Sequence, residues 1–304
     1  MPIYYTRRAF DKASSRFTNS VAQKTSYVSL GESDGKISKG SFLTAQDWTK
    51  AVIKQAKNGH VVIYVHGFNT KQAMMLTRLD LVKKGLHSQG FEAAVTAFDW
   101  PSDGVVSSHA YKQDRKDAEV TGKYMILDGI KLLREAKPSL KIHVVAHSMG
   151  THLTVYGWGT VGHDYFPAQA DETVFIASDA EQRWMMKAAG GGRIMQQRTK
   201  RLTNYFSGED KVLDGSRQII NGGWRRAGRS GLREWPAPNF KDVSCTDRYL
   251  SATEPRDRRL VHSHDWYFDD DRFYEDLAET LSGKSHKIIA TRELQSDGDQ
   301  RLKP

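Results

Sequence analysis

The chain holds a single cysteine, Cys245, in 304 residues. No internal disulfide can staple it, and no partner near in sequence makes that thiol a nucleophile. No apolar run approaches the length of a bilayer-spanning helix. The first residues, Met-Pro-Ile-Tyr-Tyr-Thr-Arg-Arg, lack the apolar core and small-residue cleavage site of a secretory leader. A cytoplasmic protein is the expectation. No His/Cys/Asp spacing suggests a metal site, and no Gly-rich phosphate loop is present, so neither metal nor cofactor is expected. Internal repeats are missing. So are nucleic-acid-binding motifs, and no nucleic-acid partner is expected.

What is present is 38% hydrophobic residues, a mean hydropathy of −0.60 and a net charge of +9. One domain with an ample core fits this length. Arginines crowd the later half at Arg225, Arg226, Arg229, Arg233, Arg256, Arg258 and Arg259. Such a loop could touch an anionic surface, although a solvated basic face explains it as well. No feature sets an oligomeric state.

Two apolar β-type runs end abruptly in Gly-containing turns. Residues 61–70 read Val-Val-Ile-Tyr-Val-His-Gly-Phe-Asn-Thr, and residues 142–150 read Ile-His-Val-Val-Ala-His-Ser-Met-Gly. The second is G-x-S-x-G with Ala146 in the first position, the pattern of a nucleophile elbow between strand and helix. Small residues two before and two after Ser148 let strand and helix pack closely around a strained nucleophile. The helix then starts at the serine, so its free amides face a reacting carbonyl. Met149 supplies one expected oxyanion amide, and Phe68 of the His-Gly-Phe-Asn turn supplies the other. The plainer alternative, an ordinary N-cap serine after a buried strand, leaves that upstream turn unexplained.

Residues 1–40 read as a polar, decorating N-terminal strand region with one apolar run at 27–30. A helix is expected from a capping box at Thr44 through Trp48, Val52 and Ile53, ending by Gly59. Helices are also expected over 71–87 and 112–135, after the elbow, and around Phe273, Leu277 and Leu281. Met74 and Met75 read as core filling. Strands are expected at 61–65, 93–98, 142–146, 173–177, 202–206 and 260–261, and a loop at Gly190-Gly191-Gly192. Residues 215–258 read as a long loop or lid, and the stretch after Lys284 as a frayed polar tail. The expected domain is therefore 41–284. Strand–helix alternation implies a mostly parallel central sheet with helices on both faces, and with the elbow this makes an α/β-hydrolase fold the expectation. His66, Trp100, Ser148, Asp179, Asp210 and His264 all follow expected strand ends, so they fall on one rim.

A serine nucleophile needs a base, and the base an orienting carboxylate, in the chain order Ser, acid, His. Asp210 ranks ahead of Asp179, with Asp214 behind, because it follows the second strand after the elbow strand. His264 ranks ahead of His262, which is nearer the strand. His147 is expected to pack or to line the pocket, His66 to hydrogen-bond the oxyanion loop, and Asn69 and Trp100 to line the pocket.

The chain resembles the uncharacterised bacterial α/β-hydrolase family known as domain of unknown function 900. The likeness is carried by Val-His-Gly-Phe-Asn-Thr (65–70), Asp-Trp-Pro-Ser (99–102), Tyr111 with Asp114-Arg115, Ala-His-Ser-Met-Gly (146–150), Ile-Ala-Ser-Asp (176–179), Tyr-Phe-Ser-Gly-Glu-Asp (205–210) and Ser-His-Asp-Trp-Tyr (263–267). It implies Ser148 as nucleophile, Asp210 as acid and His264 as base. The family's Ala-Pro-Asp is here Ala177-Ser178-Asp179, and His262-Ser263-His264 aligns in two ways. The likeness brings no substrate. The leading expectation is a serine hydrolase of a carboxylic ester or thioester. A lipase or phospholipase is a narrower version, suggested by the basic charge and by Trp224 and Trp235. A non-catalytic binding protein on the same scaffold is the contrasting class.

Overall fold

Residues 60–65 are six consecutive buried positions. A strand apolar on both faces belongs in the middle of a parallel sheet with both sides covered. The computed structural model, which describes residues 1–31, 37–102, 105–162, 169–232, 236–295 and 299–304, places it there. Among these residues the strands are β1 (Ile3–Asp11), β2 (Arg16–Ser29), β3 (Phe42–Leu43), β4 (His60–Val65), β5 (Ala94–Asp99), β6 (Lys141–His147), β7 (Ala170–Ile176), β8 (Thr199–Phe206), β9 (Phe240–Ser244), β10 (Arg292–Leu294) and β11 (Gln300–Leu302). They form one sheet in the order β10-β11-β9-β8-β7-β6-β4-β5-β1-β2-β3. The strands from β11 to β1 are parallel, and the two outer margins are antiparallel.

The helices are α1 (Ala45–Gln55), α2 (Gln72–Ser88), α3 (Ser108–Met125), α4 (Lys131–Ala136), α5 (Met149–Thr160), α6 (Gly190–Arg198), α7 (Lys211–Ile219), α8 (Ala227–Ser230), α9 (Thr246–Ala252), α10 (His262–Asp265) and α11 (Asp271–Leu281). Thr44 caps α1 by accepting from the Asp47 amide at 3.0 Å, as the capping pattern requires. A π-helical turn, Ile126–Ile130, joins α3 to α4. One face of the sheet is covered by Trp48 and Val52 of α1, Ala118 and Met125 of α3, and Leu153 and Val155 of α5. The other is covered by Met75, Leu79, Val82 and Leu86 of α2 with Phe273, Leu277 and Leu281 of α11. Met74, expected with Met75 in the core, is exposed.

The chain leaves β4 in one direction toward β5 and returns on its other side as β6. That reversal opens a crevice at the carboxyl ends of β4 and β6, where ligands of such sheets bind. His66 and Ser148 follow those two ends.

Several expectations are corrected. The N-terminal region is strand, as expected, but it belongs to the central sheet and is no decoration outside it, because β1 pairs in parallel with β5 and its Arg7 and Arg8 are buried. The tail after Lys284 is not frayed. β11 extends the sheet beside β9, Leu302 is buried, and buried Arg292 meets Asp276 at 2.6 Å. The stretch 215–258 contains β9, a strand of the central sheet, so it is not one long loop. Leu260 and Val261 form an exposed turn rather than a strand. Gly190 begins α6 rather than a loop.

Candidate active site

Ser148 stands between β6 and α5 with φ 53° and ψ −124°. That combination is rare outside glycine and costs on the order of 1–3 kcal/mol. The surroundings hold it. The Ser148 amide donates to the Ile176 carbonyl at 3.0 Å, and the Ser148 carbonyl accepts from the Asp179 amide at 3.2 Å. A side chain at Gly150 would lie 2.6 Å from the carbonyl oxygens of Val65 and His66. One at Gly67 would lie 2.7 Å from Ser148 Cβ. These close approaches are why the elbow and the facing loop need glycine. The Met149 amide opens α5 and has no acceptor in the helix. Phe68 lies in the 66–70 loop, in which Asn69 has φ 57°, and borders cavities that Ser148 also lines.

Beneath that loop lies a buried charge network the sequence did not disclose. Arg8 Nε donates to Asp99 at 2.8 Å, and the same guanidinium donates to the carbonyls of Thr70 at 2.8 Å and Ser102 at 3.1 Å. His66 Nδ1 lies 3.0 Å from the Gly67 carbonyl, and its ring stacks on Trp100 at 5.2 Å. His66 thus bonds the residue that follows it and, fully buried, lines neither cavity at Ser148. Trp100 is also fully buried and donates its indole N–H to the His66 carbonyl at 2.8 Å. It supports the loop and does not line the pocket. Burial alone would raise the Asp99 carboxyl, yet Arg8 and His66 hold it down at about 2. Its folded value lies below the ordinary one near 3.8. The stability it contributes is therefore present above that value and lost as pH falls toward 2. Arg8→Met should leave the Asp99 charge buried without its cation. We expect a loss of about 3–5 kcal/mol in urea unfolding. A loss under about 1 kcal/mol would show that water compensates the carboxylate.

Asp210 caps α7. One carboxylate oxygen accepts from the Leu213 amide at 2.9 Å, and the other accepts from His264 Nδ1 at 2.7 Å. Both residues are buried. Burial lowers the His264 pKa, but the Asp210 charge and hydrogen bond outweigh it, so the imidazole sits above its ordinary value. A proton on Nδ1 leaves Nε2 of the neutral ring as an acceptor. Ser148 and His264 line the same cavity, of about 220 Å³, together with His147, Asn69, Met74, Arg78 and Asp265. Among the described residues the Ser148 hydroxyl makes no hydrogen bond.

The remaining sequence candidates fall elsewhere. Asp179 is buried beside the elbow and accepts from the Tyr111 hydroxyl, with Arg226 at 3.6 Å. His264 hydrogen-bonds Asp210, not Asp179. Asp214 pairs with Arg217 at 3.1 Å. His262 is half-buried against Tyr249 and lines a different cavity with Thr253, Glu254 and Asp257. His147 packs its ring 4.7 Å from that of His264. Burial, and then the charge of His264, push its pKa well down, so it stays neutral.

A second cavity, of about 320 Å³, also opens on Ser148. Its walls include Phe68, Tyr111, Leu213, Ile219, Ile220 and Leu260. Among the described residues, His147, His264 and Asp265 could present metal-binding atoms within 4.8 Å of one another. The Asp265 carboxylate is already paired with Arg78 and the His264 ring with Asp210. Cys245 is buried, and burial pushes its thiol well up, away from the thiolate.

The basic loop is less available to a partner than its composition suggests. Arg226 is buried against Asp179, Arg229 donates to the Asp210 carbonyl at 3.2 Å, and Arg258 donates to the Leu250 and Thr253 carbonyls. Trp224 is exposed beneath the Arg183 guanidinium, 3.2 Å from its ring centre, and lines neither cavity at Ser148. Arg233 and Trp235 lie outside the described residues. No helix among the described residues is long and apolar enough to cross a membrane.

The family model for α/β hydrolases of unknown function, DUF900, matches residues 42–238, more than half of the chain. The chain belongs to this family. The DUF900 match covers Phe68, Ser148, Asp179 and Asp210 and stops before His262 and His264. An uncharacterised protein of Nostoc sp. PCC 7120, alr1448, is 29% identical over 161 residues, which are 46% of this chain and 40% of that protein. The match thus spans well under half of that relative. Among solved structures, TT1662 from Thermus thermophilus is 9% identical with a TM-score of 0.38, covering 72% of this chain and 89% of that one. The phospholipase PlaB from Legionella pneumophila, solved with thio-NAD, is 10% identical with a TM-score of 0.36, covering 80% and 67%. A cutinase-like protein from Cryptococcus sp. is 12% identical with a TM-score of 0.30, covering 74% and 96%. Such scores carry no functional argument. The α/β-hydrolase fold rests on DUF900 membership and on the parallel sheet with its helices on both faces.

Proposed function

We propose that this protein is a serine hydrolase that cleaves a carboxylic ester or thioester through an acyl-enzyme. Ser148 Oγ attacks the carbonyl carbon, and its proton passes to His264 Nε2. Asp210 holds the ring in the required tautomer and offsets the imidazolium charge. The amides of Phe68 and Met149 receive the oxyanion. Collapse breaks the bond to the leaving oxygen or sulfur, which departs with the proton from His264. A water then gives a proton to His264 and attacks the acyl carbon. The acid leaves, and Ser148 regains its proton.

One observation carries this reading: a serine at a strained strand–helix turn shares a cavity with a buried histidine hydrogen-bonded to a carboxylate at 2.7 Å. Labelling with a fluorophosphonate, which needs an activated serine, tests it. The wild type should label, His264→Ala should not, and His262→Ala should label normally. An unlabelled wild type would favour a non-catalytic binding protein on the hydrolase scaffold.

The base must be neutral to accept a proton, so kcat/KM should rise with pH through the His264 pKa. Because Asp210 outweighs burial, that midpoint should lie above the ordinary histidine value of about 6.5. In Asp210→Asn any residual activity should show a lower midpoint. A profile flat from pH 5 to 8 would remove His264 from the role.

A lipase or phospholipase is the narrower reading. The apolar wall of the larger cavity favours it, whereas the internal pairing of Arg226, Arg229 and Arg258 weakens the case for an anionic lipid surface.

A further inference from the structure

Two cavities of different chemistry meet at Ser148, and they are unequal in what else they touch. Phe68, Val106, Ser148, Val212 and Leu260 border both. His264 borders only the smaller one. Resting on the reading of Ser148 and His264 above, we infer that the substrate is an amphiphile divided between the two cavities. Its apolar acyl chain occupies the larger cavity, and its polar alcohol or thiol portion occupies the smaller.

The chemistry of proton transfer sets the direction. When the tetrahedral intermediate collapses, the bond from the acyl carbon to the leaving atom breaks, and that atom takes the proton from His264 Nε2. A proton donor must stand within hydrogen-bond reach of the atom it protonates. The leaving group therefore belongs in the cavity that His264 borders. That cavity also presents Asn69, Arg78, His147 and Asp265, side chains suited to a hydroxylated or otherwise polar group. The acyl portion is left with the other cavity.

The larger cavity suits a hydrocarbon. Leu213, Ile219, Ile220 and Leu260 supply its walls. Three of its polar members are satisfied by one another, and Lys211 donates its ammonium to the Arg258 carbonyl. The Tyr111 hydroxyl donates to Asp179, and the Ser216 hydroxyl donates to the same carboxylate at 3.4 Å. Val106, Ile219 and Leu260 stand exposed at its border, where an isolated apolar side chain would gain nothing from water. At about 320 Å³ the space is at the lower end of ligand pockets. A chain of medium length fits better than a bulky sterol or a polymer.

Gly215 offers a clean test. It lies within α7, borders the larger cavity, and a Cβ there would meet nothing within 4 Å. Gly215→Phe should fold, since removing a helix-interior glycine favours the helix, and its ring should take up acyl space. Ile219→Asp is a second variant at an exposed position of the same rim. Met74→Trp, on the exposed lip of the smaller cavity, is the crossed control.

The assay compares kcat/KM for p-nitrophenyl acetate and p-nitrophenyl octanoate, and separately for methyl acetate and naphthyl acetate. Gly215→Phe and Ile219→Asp should each lower the octanoate-to-acetate ratio about tenfold or more. Both should still be labelled by a small fluorophosphonate, which shows that Ser148 remains activated. Met74→Trp should lower the naphthyl-to-methyl ratio and leave the octanoate-to-acetate ratio within about twofold. The division is overturned if the chain-length ratio is unmoved by both cavity variants, or if Met74→Trp shifts it instead. Full labelling with either of those results would reject the division alone. An unlabelled, inactive wild type would reject the hydrolase reading and the division together.

Discussion

Ser148→Ala is expected to fold as the wild type does and to lose turnover by at least a thousandfold. Alanine keeps the Cβ, and so the same backbone strain and the same contacts of Gly67 and Gly150 with their neighbours. Only the hydroxyl goes. Without an attacking oxygen the remaining oxyanion amides and binding walls can supply a residual rate of roughly 10³–10⁴ over water, well below the intact enzyme. Steady-state hydrolysis of p-nitrophenyl acetate checks this, with circular dichroism to verify the fold. A variant keeping more than about a thousandth of the wild-type kcat would remove the nucleophile role from Ser148. Fluorophosphonate labelling should vanish in the same variant.

The second large effect concerns the carboxylate. Asp210→Asn should lower kcat by about 10⁴, the size of effect seen when the orienting acid of a serine triad becomes an amide. Asparagine is as good a helix cap as aspartate, so the Leu213 amide keeps its acceptor and α7 should persist. What disappears is the charge that raises the His264 pKa and offsets the imidazolium. Asp179→Asn should behave differently. It removes the charge facing buried Arg226, and so should act mainly on stability and on KM. If the two variants rank the other way in kcat at matched folding, the acid is Asp179.

The core of the sheet was legible in the chain because its central strands are buried on both faces. β4 reads as an apolar run and β6 as one broken only by His143, both stopping at a turn, and the spacing of Met75, Leu79, Val82 and Leu86 marks a helix covering them. The elbow was legible for a local reason. Ala146, Ser148 and Gly150 form a pattern confined to five residues, although the carbonyls 2.6 Å from where a Gly150 side chain would stand belong to Val65 and His66 of the other turn. The margins of the sheet were not legible. β1 carries Arg7 and Arg8, which local hydropathy reads as surface, and the distant Asp99, with the Thr70 and Ser102 carbonyls, makes burial of Arg8 tolerable. β9 and β11 are five and three residues long, and charged positions break their apolar pattern.

Chain order and the family likeness put Asp210 and His264 first, but the contact between them is made only by the fold. Asp179 and Asp210 both follow strand ends, and what separates them in the sequence is strand order, not the residues beside them. In the folded chain α7 starts at Asp210 and turns its carboxylate toward α10, while Asp179 is drawn to Tyr111 and Arg226. The two histidines differ by two residues on one helical turn. At 3.6 residues per turn they point about 200° apart, so one reaches Asp210 and the other faces Tyr249. By itself the sequence determined the elements with a local cause: buried strands, a capped helix, a tight turn with small neighbours. Only the tertiary structure decided the pairing of charges, because a charge is stabilised by a partner brought from far along the chain, and no neighbour in sequence carries that information.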